Sequence, residues 1–184
     1  MYEKNTQTKG KGMIVTISGL IGSGKTTVAK LLADDLKFRL VQAGAIFREL
    51  AREREMSLVE FSKLAEFDDK IDELIDQRQR ELAKGGNVIV DSRLGGWLID
   101  ADIKIWLKAS LKERARRVAM REDKDFETAL EETRIREISE FKRYKDLYGI
   151  DLDDLSIYDL VINTELWSPE VIAQTIKNLI KKKR

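Results

Sequence analysis

Short aliphatic runs alternate along the chain with longer stretches of helical period. Met13–Ser18, Phe38–Val41, Asn87–Asp91, Ile103–Leu107 and Leu160–Asn163 are the aliphatic runs, and their length suits strands buried on both faces. Val28, Leu31, Leu32 and Leu36 share one helical stripe and predict a helix over 25–36. From Ala43 to Lys84 the period stays helical: Ile46, Phe47, Leu50 and Ala51, then Leu58, Phe61, Leu64 and Ala65, then Ile71, Leu74, Ile75, Arg78 and Leu82 form successive stripes. Ser57-x-x-Glu60 is a capping box, with Met56 and Phe61 placed as a hydrophobic staple. Gly85-Gly86 closes this block. Ser110-x-x-Glu113 reads as a second box, opening a helix to about Glu122 with Leu111, Ala115 and Val118 on one face and Arg114, Arg117 and Arg121 beside them. A longer helix runs from about Phe126 to Tyr148 and stops at Gly149, and Ser168-Pro169-Glu170 starts the last one.

Five strands separated by helices predict an α/β fold, a parallel sheet with helices on both faces and ligands at the carboxyl ends of the strands. Residues 1–12 lack periodicity and read as a flexible tail. Residues 13–184 form one domain, with 13–42 and 85–184 as its core and 43–84 as a helical insertion. The 184 residues, 42% hydrophobic and 36% charged, describe a soluble globular chain. No apolar run approaches the ~20 residues of a membrane span, so the expected location is cytoplasmic and no membrane partner is expected. A net charge of +1 gives no general attraction to nucleic acid, so any anion site must be built locally. With no cysteine and no histidine, disulfides, thiolate metal sites, a cysteine nucleophile and the commonest general base are excluded. The terminal Lys181-Lys182-Lys183-Arg184 run suits a helix C-terminus.

The first strand leads into Gly19-Leu20-Ile21-Gly22-Ser23-Gly24-Lys25-Thr26-Thr27, which satisfies G-x-x-x-x-G-K-[ST]. Backbone N–H groups of such a loop converge on phosphate, and the following helix adds the positive end of its dipole. Lys25 is expected on the β/γ-phosphates and the Thr26 hydroxyl on Mg²⁺. Asp91, ending the third aliphatic strand, is a candidate acidic partner of that ion, and Arg93 lies on the same rim. Gly44 and Arg48 follow the second strand, where glycine allows close approach of a ligand phosphate.

Arg136, Glu140 and Arg143 share a helix face, with Ile138, Phe141 and Tyr148 roughly opposite. By pattern alone they are a solvated salt-bridge ladder. No residue is placed to deprotonate an alcohol or orient a water. A phosphate-monoester oxygen needs no base, because its second pKa is about 6. The chain therefore points to phosphoryl transfer between phosphates. Asn163-Thr164-Glu165 is not the guanine-reading N-K-x-D element, and no D-x-x-G switch follows the third strand, which weakens a GTPase reading.

Taken together, GLIGSGKTTVAKLLA, AGAIFRELARER, DSRLGGW, ADIKIWLKAS, RIREISEFKRYKDLYGIDLDDLSIYDLVINT and WSPE resemble the nucleoside-monophosphate kinases, and among them the archaeal-type cytidylate kinases. The resemblance spans about Met13 to Leu179. It implies a P-loop three-layer sandwich with sheet order 2-3-1-4-5, a monophosphate-binding helical insertion and a small lid over about 121–143. It further implies ATP as donor, Mg²⁺ as cofactor, CMP or dCMP as acceptor, and a monomer. Gly19, Gly22, Ser23, Gly24, Lys25, Thr26 and Thr27 would hold ATP, with Thr26 and Asp91 on the metal. Gly44, Arg48, Arg93, Arg136, Glu140 and Arg143 would hold the acceptor, and Lys25, Arg93 and Arg121 would act in catalysis. Ser92 stands where the family's D-G-R element has glycine, and Glu140 where bacterial relatives have aspartate, which leaves the base-reading group open. A kinase with another acceptor such as AMP, and a regulatory nucleotide-binding protein, are the alternatives.

Overall fold

The computed structural model describes residues 12–183; the expected tail, apart from Gly12, lies outside the described residues. The strands are β1 (Ile14–Ser18), β2 (Arg39–Gln42), β3 (Val88–Asp91), β4 (Ile103–Lys108) and β5 (Leu160–Asn163). They form one parallel sheet in the order β2-β3-β1-β4-β5. Eight helices connect or flank them: α1 (Lys25–Leu36), α2 (Ala43–Glu53), α3 (Leu58–Ala65), α4 (Asp69–Ala83), α5 (Gly95–Leu98), α6 (Leu111–Glu122), α7 (Phe126–Tyr148) and α8 (Pro169–Lys183).

The period of two along the strands sorts side chains into two cores. Val15 and Ile17 of β1, Ile89 of β3 and Ile105 and Leu107 of β4 pack with Val28 and Leu32 of α1 and Ile172, Ile176 and Ile180 of α8. Val88 and Val90 face the other way, towards Ile46 and Leu50 of α2, Phe61 of α3 and Ile71 and Ile75 of α4. Trp106 joins Tyr144, Ile150, Leu152 and Tyr158 on that second side. The predicted stripes are therefore real, but they are broader than the buried face. Leu64, Leu82 and Ile138 are exposed, while Asp76 and Gln79 of α4 are buried in their place.

The box at Ser57 forms in both directions, and Met56 packs against the cluster that holds Phe61. The one at Ser110 forms by half. Its hydroxyl accepts from the Glu113 N–H, but the Glu113 carboxylate turns to Arg116 and Arg117, and the Ser110 N–H donates instead to Glu165. Two strong guanidinium donors outcompete one backbone N–H.

The short helix α5 has no counterpart in the periodicity. It sits directly on β1: the Gly96 N–H donates to Ser18 Oγ at 3.2 Å, and a Cβ at Gly96 would meet the Tyr158 ring at 2.4 Å. This contact brings the segment after β3 against the carboxyl end of β1. Gly96→Ala should cost about 1–3 kcal/mol by chemical denaturation, because a methyl there overpacks a rigid ring; a stability equal to the parent protein's would show that Tyr158 moves aside freely.

Candidate active site

Parallel register places the ends of three strands side by side. Asp91 aligns with Ile17 on one side and Gln42 on the other, at the position where β1 leads one way to β2 and the sheet's second half begins on its other edge. Such a crevice is where doubly wound sheets bind ligands. The glycine-rich loop fills it. Gly22 has φ 76°, and a Cβ there would lie 2.5 Å from the Arg114 carbonyl oxygen, so this position requires glycine on both counts. Gly24 caps α1 in the left-handed region and no side chain caps that helix.

Lys25 Nζ donates to the Leu20 carbonyl at 2.8 Å across the loop. Burial pulls its ammonium down to about 7, opposed by Asp91 and reinforced by Arg93, Arg114 and Arg121. The Thr26 hydroxyl donates to Asp91 Oδ2 at 2.7 Å, and Gln42 Nε2 donates to the same oxygen at 3.1 Å. A hydroxyl and a carboxylate so close, both hard oxygens, fit a Mg²⁺ ion that takes its other ligands from phosphate and water.

Beyond the loop opens a cavity of about 1240 Å³. Six arginines line it: Arg48 from α2, Arg93 after β3, Arg117 and Arg121 from α6, and Arg136 and Arg143 from α7. Gly22, Gly24, Lys25, Thr26, Thr27, Gly44, Asp91 and Glu140 line the same space. Of the residues singled out by sequence, Gly19 and Ser23 stand outside its lining. A Cβ at Gly19 would lie 2.2 Å from the Leu107 carbonyl oxygen, and the Ser23 carbonyl accepts from Thr164, so both act inside the loop. Arg136 has its pKa lowered by burial and by the charges of Arg93 and Arg121, the mark of cations crowded together.

The ladder expected from the pattern of Arg136, Glu140 and Arg143 is not what forms. Glu140, 6% exposed, pairs with Arg93, and Arg143 pairs with Asp72 of α4 at 2.9 Å. The face points into the cavity, so its charges find partners across space rather than along the helix.

Several residues here were missed. Arg117 donates to the Thr164 hydroxyl at 2.8 Å and to its carbonyl at 2.9 Å, and Thr164 Oγ1 donates to the Ser23 carbonyl at 3.0 Å. This ties α6 and the end of β5 to the loop, and nothing local in the sequence signals it. Buried Arg114 similarly joins the Ile21 carbonyl to Glu137 of α7. Asp72, Asp76 and Gln79 bring polar groups from α4 into the lining, and their spacing of four and three could have revealed a polar stripe beside the apolar one. Tyr148 Oη donates to Asp76 Oδ2 at 2.6 Å and Gln79 Nε2 to Asp76 Oδ1 at 3.1 Å.

Fold and site together define a P-loop kinase. The matching fold is seen at a TM-score of 0.60 in shikimate kinase from Bacteroides thetaiotaomicron, 15% identical over 92% of this chain and 98% of that one. An uncharacterized protein from Eubacterium ventriosum reaches 0.68 at 20% identity, over 92% of this chain and 98% of its own. The chain belongs to the cytidylate kinase-like family, which it matches over residues 14–166. The cytidylate kinase of Methanocaldococcus jannaschii is 51% identical over 92% of this chain and all of its own length. That of Pyrococcus horikoshii is 50% identical over 91% and 88%.

Burial raises the Asp76 carboxyl to about 6, with the Tyr148 and Gln79 hydrogen bonds holding it from going higher. An acid whose pKa is higher folded than unfolded binds its proton more tightly in the fold, so its charge opposes folding increasingly as the pH rises from about 4 through 6. Tyr148→Phe removes a donor to that charge. It should destabilise the protein by about 1–3 kcal/mol at pH 8 and by clearly less at pH 5, measured by urea unfolding at both values. An equal loss at the two pH values would mean the hydroxyl is not supporting an ionised Asp76.

Proposed function

We propose that this protein transfers the γ-phosphoryl group of ATP to CMP or dCMP, giving the diphosphate and ADP, as a monomer acting in the cytoplasm. One observation carries the reading: a single cavity is lined both by the glycine-rich loop and by six arginines drawn from four segments of the chain. Two clustered sets of anions, a donor's phosphates and an acceptor's phosphate, account for that charge; one nucleotide on the loop leaves most of it unused. The ~50% identity to curated cytidylate kinases over nearly the whole chain supports cytidylate as the acceptor.

In this mechanism Gly22, Ser23, Gly24, Lys25, Thr26 and Thr27 hold the β- and γ-phosphates, and Gly19 shapes the loop. Thr26 and Asp91 would hold Mg²⁺, which supplies charge neutralisation on the donor phosphates. Helices α2 to α4 form the acceptor-binding insertion, with Gly44, Arg48 and Arg93 on the acceptor phosphate. The segment 121–143 is a lid that brings Arg121, Arg136 and Arg143 over both substrates. An oxygen of the acceptor phosphate, already ionised, attacks the γ-phosphorus in line while the bond to the β,γ-bridging oxygen breaks and its electrons stay on ADP. Lys25 and the arginines stabilise the charge spread over the transferring group and keep water out. Anionic phosphates near Lys25 restore its ammonium form, reversing the effect of burial. Glu140 and Asp72 occupy Arg93 and Arg143 before the acceptor phosphate does.

A coupled ADP-release assay across CMP, dCMP, UMP, AMP and GMP should show CMP or dCMP as the best acceptor. Turnover with AMP alone would move the protein to another acceptor class, and ATP binding without acceptor-dependent turnover would make it a regulatory nucleotide-binding protein. Within that assay Lys25→Ala should lower kcat by about 10²–10³, whereas Arg48→Ala should raise the KM for CMP more than that for ATP. Equal effects of Arg48→Ala on both substrates would mean that Arg48 is wrongly assigned to the acceptor side, and a larger effect on ATP that donor and acceptor sides are exchanged.

A further inference from the structure

The face that α4 turns to the cavity is unusual among the described residues. Asp72, Ile75, Asp76 and Gln79 all line it, at the i, i+3, i+4, i+7 spacing of one helical stripe. Asp72 lies beside Arg143, one of the arginines assigned above to phosphate. From there to Gln79 the helix rises about 10 Å, comparable to the reach of a nucleotide from its 5′-phosphate to the far edge of its base. Phe47 and Ile75 line the same cavity with apolar surface suited to a ring face.

At the end of that stripe is an unsatisfied group. Gln79 is 2% exposed, and its Oε1 has no hydrogen-bond partner among the described residues. The amide cannot turn over to relieve this: its Nε2 donates to Asp76 Oδ1, and an ionised carboxylate accepts only. Asp76 is in turn fixed through its other oxygen by Tyr148 of α7. The chain of hydrogen bonds Tyr148 to Asp76 to Gln79 thus fixes the orientation of a buried carbonyl oxygen in the wall of the cavity. A buried acceptor without a donor is costly, and a bound group that brings an N–H recovers that cost.

We propose that Gln79 is the specificity-determining residue for the acceptor's base: its carbonyl accepts a hydrogen bond from the exocyclic amino group of cytosine. Asp76 is the positioning residue that holds the amide in that sense, and Tyr148 anchors Asp76. Uracil is rejected because it places a carbonyl oxygen where cytosine carries the amino group, so two acceptors would face each other in a buried site. The assignment rests on the acceptor site proposed above, and the amino group is shared with adenine, so it is discrimination against uracil that reads it.

The test is the ratio of kcat/KM for CMP over UMP, measured on one preparation of each full-length variant so that any unfolded fraction cancels. Gln79→Met keeps the size and removes the acceptor, and the ratio should fall about ten- to a hundredfold. Asp76→Asn frees the amide to turn its Nε2 towards the ligand, and use of UMP should rise relative to CMP. The KM for ATP should move little in either. Ratios within about twofold of the parent protein in both variants, with the parent active on CMP, overturn this assignment alone. A parent protein inactive on CMP and dCMP overturns the acceptor reading and this assignment with it.

Discussion

Like charges crowded into one cavity set the terms for the rest of this structure. In a chain of net charge +1, six arginines and Lys25 converge on one space, where burial and neighbouring cations pull down the Lys25 ammonium and the Arg136 guanidinium. Counter-charges offset part of this crowding, for four of the six arginines among the described residues. Glu140 meets Arg93, Asp72 meets Arg143, Glu113 meets Arg117, and Glu122 meets Arg121. The carboxylates come from the same helices that carry the arginines or from the insertion opposite. In the reading proposed above, an entering phosphate would replace them rather than meet an unscreened field, and its affinity would be a difference between two sets of ion pairs.

The same pairs connect parts of the chain that the sheet alone does not join. Arg143 to Asp72 and Tyr148 to Asp76 link α7 with α4, one on each side of the cavity. Arg114 and Arg117 link α6 with the glycine-rich loop, and Thr164 brings the end of β5 into that linkage. The insertion, α7 and the loop are therefore tied to one another through these side chains.

The α4 helix shows how one element serves two masters. Ile71 and Ile75 bury it against the sheet, and that burial fixes the rotation of the helix. Asp72, Asp76 and Gln79 are then obliged to face the cavity, where desolvation shifts both acids upward. The polar groups are held in place by apolar packing one residue away.

Much of this was legible in the chain itself. The aliphatic runs with their helical intervals pointed to the parallel sheet, because short runs without alternation between helical stretches suit strands covered by helices, and G-x-x-x-x-G-K-[ST] marked the phosphate loop from local backbone needs alone. The helix from Phe126 to Tyr148 and the box at Ser57 were equally local. What the sequence left undecided involved partners far apart along it. The face of Arg136, Glu140 and Arg143 reads as a solvated ladder until the fold sets Arg93 and Asp72 against it. In the half-formed box at Ser110, the N–H that Glu113 gives up to bind Arg116 and Arg117 finds Glu165, more than fifty residues away. Gln79 looks like any surface glutamine on a charged helix until packing buries it and Asp76 fixes its amide. Periodicity reports which face of a helix is apolar; which polar groups meet across a cavity is decided only when the sheet order brings their helices together.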